Sequence, residues 1–134
     1  MELPIIITQS AGASASIRLL VVDDDVCIFD YFREICPPPR FILTTVTDGL
    51  DAERVALREN FDVAFVDYFL EGMIGPEVAQ LLHKAQPALP VVLMSGFFSE
   101  DRAKVMEEAG AVEFLVKPVT AENARAIIER LVGR

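Results

Sequence analysis

A chain of 134 residues is the size of one typical domain. Hydrophobic residues make up 52% and charged residues 25%, which excludes a disordered or fibrous protein. The net charge of −9, with no basic patch to offset it, argues against nucleic acid as a direct partner and suits a cation site instead.

Residues 1–16 end in the small-residue stretch Ser10 to Ser16 and read as a tail or linker, which leaves 17–134 as the folded domain. Ile5, Ile6 and Ile7 follow no Lys or Arg and are too few for a signal peptide. No apolar run approaches the roughly 20 residues of a membrane span, so a soluble, cytoplasmic protein is expected.

From Ile17 a strand-then-helix pattern repeats five times. The first strand is predicted over Ile17–Val22 and the first helix over Asp25–Ile35, with Ile28, Phe29, Phe32 and Ile35 at helical spacing. Pro37, Pro38 and Pro39 stop that helix. Cys27 and Cys36 lie on or beside it about 13 Å apart, too far to pair, and both are expected to be small buried hydrophobes rather than metal ligands.

A second strand, Phe41–Val46, precedes a helix over Leu50–Glu59. The third strand, Val63–Val66, precedes one over Gly75–Lys84, where the lone His83 reads as a solvated residue. A fourth strand over Pro90–Met94 leads to a helix over Glu100–Ala109 capped by Gly110, and the last pair is Glu113–Val116 and Ala121–Leu131. Four of the five strands are almost wholly apolar, which is expected of a parallel sheet covered by helices on both faces.

In such a sheet, ligands bind beyond the carboxyl ends of the strands, and four of the five exits are polar. The first ends in Asp23, Asp24 and Asp25, the third in Asp67, the fourth in Ser95 and the fifth in Lys117-Pro118. Converging carboxylates repel unless a cation joins them. An all-oxygen set of Asp23, Asp24 and Asp67, without His or Cys, suits Mg²⁺, which keeps waters and commonly binds a phosphate as well. Lys117 and Ser95 would serve that phosphate, while Asp25 is placed to cap the first helix.

These residues resemble the receiver domain of two-component response regulators from about Ile17 to Leu131. Leu19-Leu-Val-Val-Asp-Asp-Asp25 is similar to the acidic first-strand motif of that family, and Asp62-Val-Ala-Phe-Val-Asp67 followed by Gly75 to its phosphoacceptor strand and loop. Val91-Val-Leu-Met-Ser-Gly96 resembles the hydroxyl-bearing strand, and Gly110-Ala-Val-Glu-Phe-Leu-Val-Lys-Pro118 the strand with its Lys-Pro pair.

The resemblance implies a flavodoxin-like, doubly wound α/β fold, with five parallel strands ordered 2-1-3-4-5 and five flanking helices. It implies that Asp67 accepts a phosphoryl group from a phosphohistidine on a histidine kinase or histidine phosphotransfer protein. Asp24 would ligate Mg²⁺ directly and Asp23 through water, and the Phe69 main-chain carbonyl would complete the protein ligands. Ser95 and Phe114 would be switch residues acting on a downstream effector protein, and Lys117-Pro118 a cis peptide. A homodimer would use the face of the fourth helix, fifth strand and fifth helix, although Arg102, Lys104, Glu107, Arg125 and Glu129 there equally fit a solvated face.

The sequence departs from the family pattern at Glu71, where proline is usual. Serine replaces threonine at Ser95 and phenylalanine replaces tyrosine at Phe114. Phe69 and Phe97 stand where polar residues often flank the phosphoryl group, which predicts shielding from water and a long-lived phosphoryl state. Met1 favours a stand-alone receiver or one at the start of a longer regulator. Two other readings compete. A Mg²⁺-dependent aspartyl phosphatase would want a second acid two residues after Asp67, where Phe69 stands. A phosphorylation-independent interaction module would have no need of the five polar site residues.

Overall fold

The computed structural model describes residues 16–96 and 101–133. Most of the expected tail, the start of the fourth predicted helix and Phe97 lie outside the described residues. Five strands, β1 (Ile17–Val22), β2 (Phe41–Val46), β3 (Val63–Asp67), β6 (Val91–Ser95) and β7 (Glu113–Val116), form one parallel sheet in the order β2-β1-β3-β6-β7. Five helices connect them: α1 (Val26–Ile35), α2 (Gly49–Ala56), α3 (Gly75–Ala85), α4 (Arg102–Ala109) and α5 (Ala121–Val132).

The strand order reverses between β1 and β3, so the helices fall on both faces and two apolar clusters form. One packs Phe29, Phe32 and Ile35 of α1 and Ala124 and Ile128 of α5 against Leu19, Val21 and Phe65 of the sheet. The other packs Ala52 of α2 and Val78, Ala79 and Leu82 of α3 against Leu20, Val22, Ala64 and Val66. Alternate residues of β1 and β3 thus enter opposite clusters, which is why both strands are apolar apart from Arg18 near the start of β1 and Asp67 at the exit of β3.

Helix boundaries follow local chemistry. Asp25 caps α1 by accepting from the Cys27 N–H at 3.0 Å, Thr120 caps α5 through the Asn123 N–H, and Gly110 ends α4 in the left-handed conformation. Both Pro38-Pro39 and Lys117-Pro118 are cis peptides. The Gln86 amide at the end of α3 donates to the carbonyls of Ala56 and Glu59 and accepts from the Phe61 N–H, joining α2, α3 and the start of β3.

Several expectations are corrected. A small antiparallel hairpin, β4 (Phe69–Leu70) with β5 (Met73–Ile74), occupies what reads in sequence as loop. Helix α2 stops at Ala56, short of Glu59. Cys36 is buried, but Cys27 is exposed, because it lies on the solvent side of the first turn of α1. His83 is not simply solvated. Its Nε2 lies 3.0 Å from the Leu89 carbonyl, and a side chain at Gly110 would meet its ring, so it fills the gap between the ends of α3 and α4. Arg125 and Glu129 are exposed as expected, and both also make contacts. Arg125 Nε donates to the Ile35 carbonyl at 2.8 Å, supplying a donor that the last turn of α1 lacks, and Glu129 pairs with Arg40. Lys104 and Glu107 are exposed as expected, and the Arg102 side chain lies outside the described residues.

Candidate functional site

Parallel pairing places the carboxyl ends of β1, β3, β6 and β7 side by side, and that edge brings the polar strand exits together. Asp23, Asp24 and Asp67 each offer a carboxylate oxygen within 4.8 Å of the others. Asp23 is fully buried, Asp67 is 7% exposed, and Asp24 faces solvent.

Lys117 reaches in from beyond β7, with Nζ 2.8 Å from Asp23 Oδ2 and 3.0 Å from Asp67 Oδ1. The other oxygen of Asp23 accepts from the Asp25 N–H at 2.9 Å, so this buried carboxylate has a donor on each side. Sequence reasoning reserved Lys117 for a phosphate. It did not anticipate the link to Asp23, which joins residues 94 positions apart and leaves no local signal.

Burial is the main influence raising Asp67 above the ordinary aspartate range. The charges of Asp23 and Asp24 add to it, and Lys117 opposes it without cancelling it. Burial works to lower Lys117, but its hydrogen bonds to Asp23 and Asp67 prevail and hold it above the ordinary lysine range. Three acids facing one lysine leave a surplus of negative charge at the mouth of the site. The all-oxygen donor set and the mutual proximity of its carboxylates fit a hard divalent cation.

The loop after Asp67 is pinned on both sides. The Tyr68 N–H donates to the Met94 carbonyl and the Tyr68 carbonyl accepts from the Gly75 N–H, each at 2.7 Å. At Gly75 a Cβ would lie 2.9 Å from both the Asp67 carbonyl oxygen and Tyr68 Cα, so only glycine lets α3 start this close to the strand end. Gly75→Ala is expected to lower stability by about 1–3 kcal/mol and to weaken cation binding, read by urea denaturation and by calorimetric titration with Mg²⁺.

Glu71 is exposed at the tip of the hairpin, and Phe69, two residues beyond Asp67, is 53% exposed with its ring edge-on to Tyr68. Ser95 ends β6 at 2% exposure, and its carbonyl accepts from the Lys117 N–H. Phe114 is buried on β7 beside Leu93. One feature escaped sequence reading: a cleft of about 470 Å³ beside Lys117, lined by Ile28 and Tyr31 of α1 and by Pro118 and Val119. Its sequence signal is weak, since Ile28 and Tyr31 merely flank the buried stripe of α1 at a spacing of three.

The response regulator receiver domain model matches residues 19–129, and the chain belongs to that family. The alginate biosynthesis transcriptional regulatory protein AlgB of Pseudomonas aeruginosa is 31% identical over 108 residues, which is 81% of this chain and 24% of that protein. The probable transcriptional regulatory protein SilR of Salmonella typhimurium is 26% identical over 118 residues, 87% of this chain and 51% of that protein. The chain thus spans about a quarter to a half of these relatives. Among solved structures, a CheY-like response regulator receiver domain protein from Methanospirillum hungatei aligns at TM-score 0.78 and 26% identity, covering 87% of this chain and 94% of that one. A signal receiver domain from an HD domain-containing protein of Pseudomonas fluorescens shares the fold, with a TM-score of 0.82, 19% identity and 92% of each chain covered. Among the described residues no helix is long and apolar enough to cross a membrane.

Proposed function

We propose that Asp67 is the phosphoacceptor of this receiver domain and that Asp23, Asp24, Asp67 and the Phe69 carbonyl hold Mg²⁺. The observation that carries this reading is Asp67 itself, a nearly buried carboxylate at the end of a central strand with Lys117 at 3.0 Å and two further acids beside it. In the transfer, the N–P bond of a partner phosphohistidine breaks as an Asp67 oxygen bonds to phosphorus, and the electron pair returns to the imidazole. Mg²⁺ supplies charge neutralisation of the phosphoryl oxygens. Lys117 adds its ammonium to that task, and burial of Asp67 keeps bulk water from competing with it.

Phosphorylation replaces one carboxylate charge by a group with three acceptor oxygens. Ser95, at the end of the neighbouring strand, donates its hydroxyl to that group. Phe114, two residues before the Ser95-paired Val116, follows that movement and alters the surface met by a downstream effector protein. The domain is a signalling phosphoacceptor with at most slow self-dephosphorylation. The cleft beside Lys117, with Ile28, Tyr31 and Val119, receives the apolar surface around the histidine of the kinase or phosphotransfer protein.

Intact mass after incubation with acetyl phosphate tests this reading. A gain of one phosphoryl group that needs Mg²⁺ and disappears with EDTA supports it; no gain while Mg²⁺ demonstrably binds overturns it. The exposed Phe69 ring is placed to hinder a hydrolytic water, so Phe69→Asn is expected to shorten the lifetime of the phosphorylated form several-fold. An unchanged decay rate in the same mass assay counts against shielding. Phe97, the second ring assigned to this role, lies outside the described residues.

A further inference from the structure

The hairpin after Asp67 is fastened at two points. At its base the Tyr68 backbone is held by Met94 and Gly75. Farther along, Met73 of β5 crosses to the start of α2, where a Cβ added to Gly49 would lie 2.6 Å from Met73 Sδ and 2.8 Å from Val78 Cγ2. Gly49 is a buried residue in the first turn of α2 and is not one of the positive-φ glycines. What the position requires is therefore the missing side chain, which leaves a notch for the Met73 thioether. Met73 is half-buried there, against the cluster that α2 and α3 share.

The same end of α2 is tied to the acidic strand. The Val46 carbonyl, three residues before Gly49, accepts from the Asp23 N–H at 3.1 Å, and Asp48 between them caps α2 through the Asp51 N–H at 2.8 Å. Asp23 and Asp24 thus adjoin the start of α2 from one side, and the hairpin meets it from the other. Across the hairpin Met73 pairs with Leu70, the buried neighbour of Phe69.

We propose that Met73, seated on Gly49, is a positioning residue for the cation site, holding the hairpin that carries Phe69 in register with Asp23 and Asp24. The proposal rests on the reading that these residues and Asp67 hold Mg²⁺. Without Met73, Asp23 keeps its bonds to Asp25, Lys117 and Val46, so the change falls on the hairpin half of the site. A small cation that demands near-ideal octahedral geometry is sensitive to such a shift. The unbranched thioether fills a narrow gap well, and leucine is its nearest substitute in volume.

Calorimetric titration of the full chain with Mg²⁺, beside thermal unfolding in EDTA, tests this. Gly49→Ala displaces the sulfur and Met73→Ala empties the notch, so each should weaken Mg²⁺ binding about tenfold, while Met73→Leu should stay within about threefold of wild type. Because both alanine substitutions break one contact, the double variant should bind within about threefold of the weaker single variant, rather than about 100-fold below wild type. Ile128→Val, in the opposite cluster, should lower the unfolding midpoint and leave the affinity unchanged.

A Met73→Ala variant that unfolds earlier but binds Mg²⁺ as wild type does overturns the proposal, since Met73 then only packs. Fully multiplicative effects in the double variant, or equal losses in Met73→Leu and Met73→Ala, overturn it as well. Wild-type protein that takes up no Mg²⁺ overturns the metal reading and this proposal with it, whereas normal wild-type binding with unaltered binding in Met73→Ala overturns the anchor alone. If circular dichroism shows that Gly49→Ala does not fold, the contrast between Met73→Ala and Met73→Leu decides.

Discussion

Asp67→Asn is expected to abolish the Mg²⁺-dependent gain of a phosphoryl group while making the Mg²⁺-free domain more stable. The amide keeps the shape of the side chain but offers no carboxylate oxygen as acceptor, so the mass shift should vanish rather than diminish. The rise in stability has a separate origin. Asp67 is held above its ordinary value, first by burial and then by the charges of Asp23 and Asp24. The folded state therefore binds that proton more tightly than the unfolded chain, and ionisation of Asp67 costs stability as pH rises from the ordinary aspartate range through the higher folded value. Above that folded value the cost is fully present, and Asn removes it. Thermal unfolding in EDTA should report a higher midpoint for Asp67→Asn, with the gap from wild type shrinking below the pKa of Asp67. Mg²⁺ should reverse the order, because it stabilises the wild type by binding the folded state. A variant that neither phosphorylates nor gains stability would mean that Asp67 lies outside the charged cluster that burial and Lys117 define.

Lys117→Met is expected to cost about 3 kcal/mol of stability in the absence of Mg²⁺, since removing one partner strands a buried charge. Asp23 is fully buried, and without Lys117 it retains, among the described residues, only the Asp25 N–H as a donor while still facing Asp24 and Asp67. Adding Mg²⁺ should recover part of the loss by restoring positive charge to the acids, and phosphorylation should remain severely slowed, because methionine supplies no charge to the phosphoryl oxygens. The pH dependence carries a second signature. Lys117 is held above its ordinary range, so its contribution is complete below that range and is lost as pH rises through the higher folded value. The alkaline limb of the wild-type stability curve, measured by urea denaturation, should flatten in Lys117→Met. Full stability in the variant at neutral pH would remove Lys117 from the role of partner to Asp23.

Periodicity alone located the scaffold. The bounds of β1, β2 and β7 agree with expectation residue for residue, β3 differs only by including Asp67 at its exit, and β6 is shifted by one residue, leaving out Pro90 and including Ser95. Those strands are legible because burial on both faces demands uninterrupted apolar runs. The hairpin after Asp67 was not. Phe69-Leu-Glu-Gly-Met-Ile74 is too short for a recognisable alternation, and its two residue pairs form because Tyr68 is anchored on both sides by Met94 and Gly75. Cys27 and Asp23 show the same limit at single positions. Cys27 reads in sequence as a small buried hydrophobe and Asp23 as a site acid whose burial has no local signal, and the direction of the chain as it enters α1 exposes the first and buries the second.

What the sequence by itself determined is the set of local choices: strands where apolar runs occur, helices where apolar residues recur at helical spacing, caps at Asp25, Thr120 and Gly110, and an acid, hydroxyl or lysine at four strand ends. Each depends on neighbours within a few residues, where backbone geometry and side-chain chemistry act without reference to the rest of the chain. Only the tertiary structure decided that Lys117 bridges Asp23 and Asp67 and that His83 fills the gap behind Gly110. Those outcomes join groups tens of residues apart, and the free energy that selects them, the pairing of a buried charge or the closing of a gap, exists only once the sheet has brought them within reach.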